Sequence, residues 1–161
     1  MRKRSKTYRP KPMLHDTIQW IINGRKPVSD ASEEIQTARI KNHMALNILR
    51  LGTGGRKEVD VIVAAFNMTE ALARGRVGIE LAADIRAGQD ALYALAVRGA
   101  NTGRFVFTGP ELHAINYAMA IHDAQLDVCT VAEMEAAIRL VRKELSLKRA
   151  RVIEMADEVA A

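Results

Sequence analysis

The chain has 161 residues, 48% of them hydrophobic and 4% aromatic, enough to bury about two thirds of its unfolded surface in a single domain. Its one cysteine excludes an internal disulfide and fits a reducing compartment, and no apolar run approaches the roughly 18 residues that span a bilayer. The formal charge of +5 divides unevenly: residues 1–12 hold six cations and no acid, leaving 18 basic and 19 acidic side chains in the other 149 residues.

That first stretch, MRKRSKTYRPKP, has two prolines, one aromatic residue and nothing to bury, so it reads as a flexible basic arm (1–12) ahead of one helical domain (13–161). Arg2, Lys3, Arg4, Lys6, Arg9 and Lys11 suit an arm laid along the phosphates of DNA or RNA, displacing counterions, with Tyr8 stacking or anchoring. Such contacts give steep salt dependence and no choice of sequence. The bland alternatives are a solubilising tail, or one that docks on an acidic partner protein. No apolar stretch follows the basic start, which argues against a secretory signal and for a cytoplasmic protein with no membrane contact.

The remaining elements are all helical. A short helix spans about His15 to Asn23, with Ile18, Ile21 and Ile22 inside, Trp20 and Leu14 at its flanks, and Gly24 as its stop. Asp30 and Glu33 form a capping box for a long helix to about Leu51. Its apolar positions (Ile35, Ala38, Ile40, Met44, Ala45, Ile48, Leu49, Leu51) wrap more than half its circumference, which places it centrally or at a subunit interface. His43 on that helix reads as a hydrogen-bonded, partly buried histidine.

Gly52-Thr53-Gly54-Gly55 followed by Arg56-Lys57 invites a phosphate-loop reading, but a helix precedes it and no Ser or Thr follows the lysine. The stretch is a helix stop and turn. A helix from about Lys57 to Arg74 buries Val59, Ile62, Val63, Phe66, Leu72 and Ala73, and Asn67 falls near that side. Gly75 interrupts. The next helix, about Val77 to Arg98, carries Leu81, Ile85, Leu92, Leu95 and Ala96 inside, and Gly88 marks close packing against a neighbour. Ala71, Gly75 and Leu81 match a helix-turn-helix spacing, yet the would-be recognition helix presents Glu80 and Asp84 to phosphates, which is electrostatically wrong. Gly99 to Gly103 forms a second break. Phe105-Val106-Phe107 is a short extended segment that covers the bundle's end, pairs with a symmetry mate, or packs as a loop.

Two further capping boxes, Thr108…Glu111 with Pro110 at the helix start and Thr130…Glu133, open helices at about 109–127 and from Val131. Only Asp127, Val128 and Cys129 separate their bodies, so the pair is expected to be a tight antiparallel hairpin. The first points Leu112, Ile115, Met119, His122 and Leu126 along one side. The second keeps a 4-3 alternation through Met134, Ile138, Val141, Leu145, Lys148, Val152, Met155 and Val159, the pattern of a self-association seam and hence of a homo-oligomer. The plainer reading lays this helix on its own domain as far as Leu145.

Chemistry is sparse. His122-Asp123, with Asp127 downstream and His43 or His113 elsewhere, offers a remote match to HD-type metal-dependent phosphohydrolases. Adjacent residues on a helix point about 100° apart, however, and His122 falls on an apolar stripe where a satisfied core histidine is the default. There is no His-Glu-x-x-His, no cysteine pair and no carboxylate-rich face, so no metal or cofactor is implied. Cys129 has no histidine placed as its base. Whether Asn42, His43, Asn67 and His122 converge into one polar pocket is a question for the fold.

Arg2-Lys3-Arg4-Ser5-Lys6, Tyr8-Arg9-Pro10-Lys11-Pro12, Ile40-Lys41-Asn42-His43, Thr102-Gly103-Arg104-Phe105 and His122-Asp123-Ala124-Gln125-Leu126-Asp127 with Thr130 together resemble a group of small uncharacterised phage and prophage proteins. The resemblance spans nearly the whole chain and implies a phage origin and a host-cytoplasm setting, without a fold, substrate or catalytic residue. The expectation is therefore a non-enzymatic all-α bundle of five main helices. It acts as an accessory or regulatory protein that contacts nucleic acid, or as a modulator that binds a host protein.

Overall fold

The computed structural model describes residues 24–28 and 33–148, and the arm, the short first helix, the Asp30 cap and the segment beyond Lys148 lie outside them. Five helices follow in order: α1 (Glu33–Arg50), α2 (Arg56–Arg74), α3 (Ala82–Thr102), α4 (Gly109–Val128) and α5 (Val131–Ser146). Among the described residues no strand forms, so the all-α expectation holds. Helix α4 runs antiparallel to both α1 and α3, and α5 packs on α2.

The main core gathers Leu49 from α1, Ile62 and Phe66 from α2, Leu92 and Leu95 from α3, and Ile115, Ala118 and Met119 from α4. Burying each of the larger side chains contributes roughly 1.5–3 kcal/mol. Phe105 joins this cluster, so the extended Phe105–Phe107 segment closes one end of the bundle. Its ring lies against Gly99, where a Cβ would come within 2.2 Å. That contact explains why α3 continues through Gly99 to Thr102 instead of stopping at the first glycine. Gly88 is packed in the same way: a Cβ there would sit 2.3 Å from the Cβ of Ala118 on α4.

Helix ends follow local chemistry. The Gly52 N–H bonds to the Leu49 carbonyl and the Thr53 N–H to that of Ile48, with Gly52 at φ 72°, a left-handed cap for α1. After α2 the left-handed position is Arg76 (φ 75°) and not Gly75, whose φ is −77°. A second left-handed residue, Gly78, leads into a single 3-10 turn, Ile79–Leu81, so α3 starts at Ala82, later than the apolar pattern from Val77 suggests. Both capping boxes form: the Thr108 and Thr130 hydroxyls accept from Glu111 and Glu133 N–H, and each carboxylate accepts the threonine's own N–H at 2.8 Å.

Helices α4 and α5 are not the antiparallel hairpin their short link suggests. Cys129 and Thr130 are both extended (φ −72°, ψ 150° and φ −88°, ψ 162°), which turns a corner where a hairpin needs a reversal. The corner is held by the strand-like segment Lys26–Val28: the Val28 N–H donates to the Cys129 carbonyl and the Val131 N–H to that of Lys26. From there α5 packs on α2. Val28, Ala71, Leu72, Leu126, Met134 and Ala137 form a second cluster, with Ile138 and Val141 against it. Of the expected self-association seam, Met134 is thus buried within the chain, Ile138 and Val141 are half-buried against the same cluster, and Leu145 is exposed. The helix stops at Ser146, with Lys148 in a left-handed conformation (φ 53°), so the seam does not run on as one helix; Val152 and Met155 lie outside the described residues.

The Gly88–Ala118 contact gives a direct test. Elsewhere in a helix, Gly→Ala gains about 1 kcal/mol; here the added methyl must push α3 and α4 apart. Gly88→Ala is expected to lower the stability measured by urea unfolding by on the order of 2 kcal/mol, and a gain would contradict the close approach.

Candidate functional site

The most organised polar group in the fold lies where α1, α2 and α4 meet. On α1, Arg39, Asn42 and His43 occupy one strip at helical spacing, and on α4, His122, Asp123 and Asp127 do the same. Because the two helices run antiparallel, the strips match in reverse order. Asn42 meets His122 at 3.3 Å, His43 Nε2 meets Asp123 Oδ2 at 2.7 Å, and the Arg39 guanidinium donates to Asp127 at 2.7 Å and to the Asp123 carbonyl at 3.0 Å. Arg39 Nε and Asp123 Oδ1, both buried, face each other at 3.6 Å, close enough to attract and too far for a hydrogen bond.

His122 is the centre of this junction and is 4% exposed. The Thr69 hydroxyl on α2 donates its proton to the Ala65 carbonyl at 3.0 Å, the back-bonding open to a threonine within a helix. Its oxygen is therefore left to accept, so the His122 Nδ1 at 2.9 Å carries the proton. The His122 Nε2 then accepts from the Asn42 amide. Burial is the first cause that holds the His122 pKa down, to about 4, so the ring is neutral at pH 7; the adjacent Asp123 opposes the shift, while Arg39 and His43 reinforce it. One turn further along α4, the buried Gln125 amide donates to the carbonyls of Thr69 and Val77 at 3.1 and 2.7 Å, tying the end of α2 to the same helix.

A second charged clamp closes the other end of α4. The Arg98 guanidinium grips Glu111 with two hydrogen bonds of 2.7 and 2.6 Å and also reaches the Val106 carbonyl at 2.6 Å. The Arg98 hydrogen bond is the leading cause that lowers the Glu111 carboxyl to about 2.

Three of the four polar residues asked about from sequence, Asn42, His43 and His122, come together, and Asn67 does not. Asn67 instead lines a shallow groove of about 100 Å³ between α2 and α5 with Glu70, Arg74, Val141 and Leu145, too small for most ligands. Arg39, Thr69 and Gln125 were not legible as members of the junction. Thr69 had one signal: it shares the buried face of α2 with Ala65 and Leu72, four before and three after it. Arg2, Lys3, Arg4, Lys6, Tyr8, Arg9 and Lys11 lie outside the described residues.

Chemically the junction is committed to holding helices. Both ring nitrogens of His122 are engaged by Thr69 and Asn42, so in this arrangement none is left for a metal, and no three His, Cys, Asp or Glu side chains among the described residues gather to hold one. Cys129 is wholly buried, and burial pushes its thiol pKa up, away from the thiolate a nucleophile needs. Among the described residues no helix is long and apolar enough to cross a membrane. Comparison of the chain with family models, with curated proteins and with solved structures finds no match in any of the three.

The junction predicts a pH signature. Folding lowers the His122 pKa from 6.5 to about 4, so the unfolded chain binds the proton more tightly. Stability from this source is complete above pH 6.5 and is lost as the pH falls from there towards 4, by roughly 3 kcal/mol in all. The Glu111 contribution is lost only below 4.5, as its pKa too is lowered. Urea unfolding at pH 7 and 5 is expected to show a clear loss for the native chain and a much smaller one for His122→Gln; equal losses would contradict a buried neutral ring.

Proposed function

We propose that the chain is a phage-encoded accessory or regulatory protein without catalytic activity that contacts DNA or RNA through Arg2, Lys3, Arg4, Lys6, Tyr8, Arg9 and Lys11. Charge segregation carries the reading. Six cations and no acid stand in residues 1–12, while the other 149 residues are balanced at 18 basic and 19 acidic side chains. A protein that recruited nucleic acid through its folded surface would place its excess cations there. Within the described body five arginines are instead tied to carboxylates: Arg39, Arg56, Arg74, Arg98 and Arg139. The commitment of His122 and the burial of Cys129 favour a binding role over a catalytic one. The phage origin rests on the sequence resemblance alone.

The alternative is a modulator of a host protein, and salt separates the two. In a fluorescence titration against labelled duplex and single-stranded nucleic acid, six phosphate contacts predict that the full chain loses about a thousandfold in affinity between 50 and 200 mM salt. A chain of residues 13–161 is expected to bind at neither concentration. Absence of binding by the full chain at 50 mM would overturn the reading and point to a protein partner.

A further inference from the structure

We infer that α1 is the surface through which two copies of this chain associate, packing antiparallel about a two-fold axis near Met44. The helix is apolar on two opposite sides. One side puts Ala45, Leu46 and Leu49 into the core. The other carries Ile40 and Met44, with Leu51 just past the helix end, at spacings of 4 and 7 that keep to one side, and these are 59%, 58% and 65% exposed. Thr37 extends the stripe at one end. Val106, 48% exposed, flanks it at the other, beside Gly52. Singly exposed apolar residues are ordinary, but three on one side of a single element, with only Asn47 between Met44 and Leu51, are not.

The charges at the ends of α1 select the occupant. Its first turn is acidic, with Glu33 and Glu34, and its last carries Arg50, followed across the Gly52–Gly55 turn by Lys57 and by Arg56, whose exposed 3.8 Å pair with Asp60 leaves it open to a second carboxylate. A second α1 laid antiparallel sets each acidic end against the other's basic end and continues apolar contact through the middle. A parallel pair would set like against like at both ends. Two-fold symmetry makes such a surface its own complement. The helix is about 27 Å long, and the stripe offers on the order of 500 Å² per copy, at the low end for specific interfaces, so the dimer is expected to be concentration-dependent. The inference is independent of the arm and stands whether or not the chain binds nucleic acid.

The test is sedimentation velocity of the full chain from about 1 to 200 μM, with the variants Met44→Glu, Met44→Cys and Leu51→Cys. The mass is expected to double across this range, and Met44→Glu to stay monomeric with an unchanged melting curve, as Met44 is exposed. Ile40→Lys serves as a second disrupting variant that does not depend on position 44. Under mild oxidation Met44→Cys is expected to crosslink, being near the axis. Leu51→Cys is not, since the antiparallel arrangement separates the two copies of position 51 by about 20 Å. The native Cys129 is buried and silent. A chain that remains monomeric at 200 μM, as it would if another part of itself or a different protein covers the stripe, overturns the inference. So does a dimer that survives both disrupting substitutions, or crosslinking of Leu51→Cys as ready as that of Met44→Cys.

Discussion

The arrangement of α1, α2 and α4 depends on one buried imidazole. His122 meets a hydroxyl from α2 and an amide from α1, and it can satisfy both only as a neutral ring with its proton on Nδ1. The ring cannot charge without the full cost of a buried cation. Removing any one of the three side chains leaves buried polar groups without partners, which costs more than an ordinary hydrogen bond returns. Around it, His43, Asp123, Arg39 and Asp127 extend the match along the outer edge of the two helices. These polar side chains match α1 to α4, while Ala45, Leu46 and Leu49 of α1 join the main core. A purely apolar α1–α4 contact would tolerate sliding; the pairing of positions 42 and 43 with 122 and 123 admits one register.

Steric closeness complements this polar match. Where α3 passes α4, Gly88 meets Ala118 and lets the two backbones approach. Near the end of the same pair, Arg98 and Glu111 form a two-pronged ion pair across the Phe105 plug. The α4 helix is therefore fixed at one end by charge, along its middle by a small-residue contact and at the other end by His122 and Gln125. The corner at Cys129 and the short segment Lys26–Val28 then direct α5 onto α2.

Much of this was legible because it is local. The Thr108 and Thr130 boxes each need only four residues, and both formed. Gly88 betrayed its close contact because a glycine inside an apolar helical pattern has a cost that packing must offset. The errors came where a local signal was asked to report a direction. Two caps separated by a short link do not say whether the chain reverses or turns a corner. The 4-3 pattern through Met134, Ile138 and Val141 describes a helix packed on its own domain as well as one packed on a copy. The pattern around Ile40 and Met44 did flag a helix too apolar for one buried side. His43 and His122 could be picked out singly, but their partners stand 80 and 53 residues away in the chain, and only the fold pairs them.

The state of the His122 ring decides whether the junction can form, and nitrogen-detected NMR of the histidine side chains observes it directly. The expected result is a neutral His122 with the proton on Nδ1 from pH 8 down to 5.5. A proton on Nε2, or a ring that charges near pH 6.5, would contradict the junction as the element that holds α1, α2 and α4 together.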